Sequence, residues 1–130
     1  SGYTYSGHPV GAAAAIACLK ETQRLDVKTN AGLRGAQLFK GLCQIGEKYD
    51  LVGDVRGGHG LMCALELVSD QTRKTPIDKH TIQRLQTATY EAGVMLRVSG
   101  PNVIFSPPLI IDEADTAKIL SAVDQGFASL

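Results

Sequence analysis

The chain has 130 residues, 44% of them apolar and 20% charged, which suits one ordinary globular domain and argues against intrinsic disorder. Thirteen basic residues balance thirteen acidic ones, so there is no electrostatic case for nucleic acid or an anionic membrane surface as partner, and no apolar run is long enough to span a bilayer. Ser1-Gly2-Tyr3 shows no signal-peptide pattern, and the start reads as a cut or processed end.

Residues 1–8 are rich in Gly and Tyr and predict an irregular opening loop. Pro9 suits the first turn of a helix, where its missing N–H is not needed, and the alanine-rich run from Gly11 to Lys20 has high helix propensity; the first helix is placed at residues 9–24. A second helix, residues 28–48, carries an apolar stripe of Ala31, Gly35, Leu38, Leu42 and Ile45, with Lys28, Arg34, Lys40 and Glu47 off the stripe and wet. Residues 51–56 form a short extended segment, broken by Gly57-Gly58-His59-Gly60. Residues 61–68 are the best strand, apolar on both faces except at Glu66, which predicts burial over most of its surface. A polar loop, 69–75, is closed by Pro76. The third helix, 78–92, has an inner stripe of Ile82, Leu85, Thr89 and Ala92, and Gly93 stops it. Residues 94–98 and 103–106 predict an antiparallel hairpin around the turn 99–102, ended by Pro107-Pro108. Asp112 caps a last helix, with Asp115 in its first turn and Leu120, Val123 and Phe127 facing inward. This order predicts an α+β fold: a small, largely antiparallel sheet with helices packed on one face.

Cys18, Cys43 and Cys63 are odd in number and widely spaced, each among Ala, Leu or Ile. They predict free, buried thiols in a reducing compartment, the cytoplasm, rather than a disulfide framework or a zinc site. His8 is expected to help cap the first helix; His59 and His80 carry no metal-ligand spacing. The Gly57–Gly60 stretch precedes a strand rather than a helix and is not a phosphate loop, and Glu66 reads as a paired structural carboxylate.

Several segments together resemble one family. Gly2-Tyr3-Thr4-Tyr5-Ser6-Gly7-His8-Pro9, followed by an alanine-rich helix, is similar to the G-[FY]-T-Y-x-G-H-P stretch of class III aminotransferases, above all the omega-amino-acid:pyruvate group. Val55-Arg56-Gly57, then Gly60-Leu61-Met62 and Glu66-Leu67, resembles a family strand with its leading turn; here that turn is one residue longer. Gly93-Val94-Met95-Leu96-Arg97 and Phe105-Ser106-Pro107-Pro108-Leu109 resemble two further family segments in the same order.

The resemblance implies a fold type I enzyme that depends on pyridoxal 5'-phosphate and moves an amino group between an amine or omega-amino acid and a keto acid such as pyruvate. Residues 1–25 would be the opening loop and the helix connecting from a large domain, and residues 26–130 the C-terminal small domain. The family's Schiff-base lysine and its pyridine-binding aspartate precede the T-Y-x-G-H-P stretch. None of Lys20, Lys28, Lys40, Lys48, Lys74, Lys79 and Lys118 sits in a matching motif, so no catalytic residue is assigned and the isolated chain is expected to be inactive. The family is homodimeric, and by resemblance Thr4 reaches the cofactor phosphate of the partner subunit while Tyr3 lines the substrate entrance. Arg97 stands alone among Val94, Leu96 and Val98. Pattern alone allows a solvent-facing strand residue; the resemblance implies an arginine that takes the substrate carboxylate and swings aside for amines lacking one. Two alternatives stay open: a stand-alone ferredoxin-like binding or regulatory module, and an ornithine- or 4-aminobutyrate-type transaminase, against which His8 argues because those relatives more often carry Asn there.

Overall fold

The computed structural model describes residues 3–130; Gly2 of the opening motif lies outside them. The elements are α1 (Pro9–Arg24), α2 (Val27–Lys48), β1 (Val52–Arg56), β2 (Cys63–Asp70), β3 (Thr75–Pro76), α3 (Lys79–Glu91), β4 (Arg97–Ser99), β5 (Asn102–Phe105) and α4 (Glu113–Ala128). The sheet runs β1-β2-β5-β4 with every pairing antiparallel, and the short β3 adds to β2. Helices α2 and α4 pack together beneath it, with α3 against α4, which is the expected one-sided α+β layer.

The local signals act as chemistry requires. The His8 Nδ1 accepts from the Gly11 N–H at 3.4 Å, and Pro9 opens α1. Asp78 caps α3 through the Thr81 N–H and hydroxyl, contacts that hold its carboxyl below the usual range. Asp112 accepts from the Asp115 N–H at 2.8 Å, as its spacing predicts. Gly93 stops α3 at a φ of 85°. Leu38, Leu42 and Ile45 of α2, Ile82 and Leu85 of α3, and Val123 and Phe127 of α4 meet Cys63, Leu65, Leu67, Val103 and Phe105 of the sheet in one core. Tyr49 stacks on Phe127 at 5.1 Å and shares the Asp124 carboxylate with Lys48, whose hydrogen bond holds that carboxyl low.

Four expectations change. First, β2 begins at Cys63 rather than residue 61, since its ladders with β1 and β5 reach only to Arg56↔Ala64 and Cys63↔Phe105. Only one of its faces is fully buried: Cys63, Leu65 and Leu67 point to the core, whereas Ala64 and Glu66 point to a face that no helix covers. Second, β4 begins at Arg97 rather than residue 94, since its ladder with β5 spans only Arg97↔Ile104 to Ser99↔Asn102. Third, Ser69 and Asp70 continue β2 instead of forming a loop, with Val68 and Asp70 paired to Pro76 and Thr75 of β3 across an irregularity at Ser69. Fourth, of the three free thiols only Cys63 is buried; Cys43 is half-buried and Cys18 exposed. Cys18 lies on α1, which buries no residue and touches only α2. Burial pushes the Cys63 thiol up.

The longer glycine turn is accommodated by close packing. Gly57 lies against Cys63 and Phe39, and the Gly60 carbonyl sits where a side chain on Gly35 of α2 would project. Gly35→Ala is therefore expected to lower the unfolding free energy by about 1–3 kcal/mol through overpacking. Gly32→Ala, on the same helix with open space around it, should be neutral or raise stability by up to about 1 kcal/mol. Urea unfolding of the two variants measures this; equal midpoints would refute the packing argument.

Candidate functional site

Antiparallel register decides which side chains share the uncovered sheet face. One row across the sheet reads Arg56, Ala64, Ile104, Arg97, and the next reads Asp54, Glu66, Asn102, Ser99. Arg56 and Arg97 thus stand at opposite ends of one row, their Cα atoms three strand spacings or roughly 14 Å apart.

Their surroundings differ. Arg56 Nη2 meets Glu66 Oε2 at 2.7 Å and Asn102 Oδ1 at 2.8 Å, and its Nε lies 3.2 Å from Asp54 Oδ2. Asn102 also donates to the Ser99 carbonyl at 3.2 Å, so its amide is held at both ends. Arg97 makes no ion pair among the described residues. It is exposed, in keeping with the pattern reading of a solvent-facing strand residue, and Glu66, the resting partner one would look for, is engaged by Arg56 instead. Beside Arg97 lies a cleft of about 490 Å³, walled by Met95, Ile104, Phe105, Pro107 and Ile119, with Ser106 as a polar member. A free cation at the lip of an apolar cleft can anchor a small carboxylate with an apolar body.

Tyr3 and Thr4 belong to a second location. They open a turn in which the Ser6 N–H donates to the Tyr3 carbonyl at 3.0 Å and the His8 N–H to the Tyr5 carbonyl at 3.2 Å. Tyr3 is 79% exposed and Thr4 is exposed too. The turn precedes α1, a helix of 16 residues and so about 24 Å long, with no acidic residue in its first turn. The structure does not bring this turn against the open sheet face, since α1 contacts α2 alone.

Among the described residues no cluster of His, Cys, Asp or Glu could hold a metal ion, and no helix is long and apolar enough to cross a membrane. His59 and His80 are exposed and stand apart from both locations. Arg56 escaped the sequence reading as a member of the site. Its local signals were the Val55-Arg56-Gly57 segment and the Asp54/Arg56 alternation on one strand, and its two other partners lie 10 and 46 residues away.

Comparison with known proteins gives a consistent result. Residues 1–127 match the family described as aminotransferase class-III. The alanine–glyoxylate aminotransferase 2 homolog 2 of Arabidopsis thaliana, a mitochondrial protein, is 33% identical over 98% of this chain, and 27% of its own length is covered. The taurine–pyruvate aminotransferase of Bilophila wadsworthia is 31% identical over 98% of the chain and 29% of its own length. A crystal structure of an amine transaminase from an uncultivated Pseudomonas species, in a PLP-bound form, superposes with a TM-score of 0.90 and 41% identity, over 99% of this chain and 29% of that one. The chain therefore spans less than a third of each of these proteins.

Proposed function

The chain belongs to the class-III aminotransferase family, and from that premise we propose that it is the C-terminal segment of a pyridoxal-phosphate-dependent transaminase that moves an amino group between an amine or omega-amino acid and a keto acid such as pyruvate. The observation that carries the reading to substrate is Arg97, an exposed guanidinium that forms no ion pair among the described residues and lies beside an apolar cleft. Two parallel hydrogen bonds from its fork fit a carboxylate, and the cleft fits the short apolar body of a keto acid or amine.

The residues present suit the cofactor as well. A phosphate asks for hydroxyls, backbone N–H groups and a positive local field; the Thr4 hydroxyl and the positive end of α1, with no acidic residue in its first turn, offer the first and the last, while the Ser6, His8 and Gly11 N–H groups already donate within the turn. When bound, pyridoxal phosphate supplies the electron sink that transamination needs. Thr4 would hold its phosphate, Tyr3 would line the entrance to the substrate, and Arg97 would orient the acid substrate's carboxylate.

The shared phosphate site implies a homodimer in which the residue 3–8 turn serves the partner's cofactor. The exposed Val10, Ile16 and Leu19 on α1, with no residue of that helix buried, support a partner surface there. They also support division into residues 1–25, a connector, and 26–130, the small domain; Asp26, with φ at 44°, stands at the junction. The free thiols fit a reducing compartment such as the cytoplasm.

The test is amino transfer by the holoenzyme, with alanine formation from pyruvate followed across a panel of amines and omega-amino acids. Sustained alanine formation that depends on added pyridoxal phosphate is the expected outcome. No transfer to pyruvate or any other keto acid from a cofactor-loaded protein would overturn the reading.

A further inference from the structure

The open sheet face carries two carboxylates and two guanidinium groups, yet it pairs them unequally. Asp54 and Glu66 both sit on Arg56, while Arg97 has neither. Glu66 is two strands and two residues from Arg97, or about 12 Å between Cα atoms, a gap that an extended Glu and an extended Arg side chain together can close. Two contacts keep it from doing so. Arg56 Nη2 holds the Glu66 carboxylate at 2.7 Å, and the Asn102 amide, tied to the same Nη2 and to the Ser99 carbonyl, stands on β5 between Glu66 and β4.

We propose that Arg56 is a positioning residue for acid substrates: by holding Glu66 it prevents an internal carboxylate from competing with substrate for Arg97. This rests on the reading of Arg97 as the carboxylate-binding group. Arg56 touches no reacting atom; it acts through Glu66. Removing it leaves a free negative charge on the same face as Arg97, able to pair with it directly or to lower the local potential for an incoming anion.

The experiment uses the holoenzyme with Arg56→Gln, Glu66→Gln and the double variant. Specificity constants are measured for pyruvate and for an uncharged aromatic amine, each in its own half-reaction, together with protection against thermal unfolding by propionate, a carboxylate that carries no amino or keto group. R56Q is expected to raise KM for pyruvate about five- to tenfold and to weaken propionate protection, with the neutral amine changed less than about twofold. Adding E66Q in the same chain should restore both acid readouts to within about twofold of wild type, because the competitor is gone. Raising the salt from about 0.05 M to about 0.5 M should shrink the R56Q penalty.

A purely structural Arg56 gives a different pattern: equal losses for acid and amine, tracking a fall in melting temperature, with no rescue by E66Q. That pattern overturns the proposal. Should R56Q fail to fold, Arg56→Lys keeps a charge but loses the fork and is expected to show a smaller loss of about two- to threefold, still confined to the acid; an equal loss for both substrates overturns the proposal here too. Failure of the underlying reading is separable, because then Arg97→Ala itself would not discriminate acid from amine.

Discussion

Arg97→Ala in the holoenzyme is expected to cost acid substrates about 2–4 kcal/mol of transition-state binding and a neutral aromatic amine much less. The size follows from the environment of the side chain. Arg97 has no internal ion pair among the described residues, so nothing in the fold loses a partner when it is removed. The loss falls on whatever external anion it meets, and a bidentate, charge-assisted contact beside an apolar wall is among the stronger polar contacts available. Arg97→Lys keeps the charge but loses the planar fork and should recover little. The readout is kcat/KM for pyruvate or an omega-amino acid against that for the amine, each in its own half-reaction. Equal losses that follow a drop in thermal stability would make Arg97 a scaffold residue of the β4–β5 hairpin and nothing more.

Thr4→Ala should weaken cofactor retention by roughly ten- to a hundredfold, since one hydrogen bond to a charged phosphate contributes about 1.5–3 kcal/mol. Thr4 is exposed on a turn whose backbone hydrogen bonds run between Tyr3 and Ser6 and between Tyr5 and His8, so the turn itself does not depend on the threonine hydroxyl. A change in cofactor affinity would then report the lost phosphate contact rather than a collapsed loop. Thr4→Ser, which keeps the hydroxyl, should retain most of the affinity. The measurement is the dissociation constant of pyridoxal phosphate by absorbance during dialysis. An unaltered constant in Thr4→Ala would reduce this residue to a turn former. Because the phosphate site is proposed to be shared between subunits, the loss should be accompanied by a shift toward monomer in sedimentation.

What the sequence by itself determined was local. Pro9 and His8 start α1, Asp112 caps α4, Gly93 ends α3, and the stripes of α2, α3 and α4 name their buried faces, because each of these signals acts within a few residues of itself. The ordered motifs also carried the family, which the match over residues 1–127 bears out. The tertiary structure alone decided where strands begin and what their side chains meet. The ladders to β5 moved the start of β4 to Arg97 and that of β2 to Cys63. A strand's exposure depends on which layer covers it, so apolar residues on both sides of β2 did not reveal that the Ala64 and Glu66 face is left open by the helices. The identity of an ion pair is still less local. Glu66 could in sequence have served either arginine; register put Asp54 opposite it on one side and Asn102 on the other, and so gave it to Arg56 and left Arg97 bare.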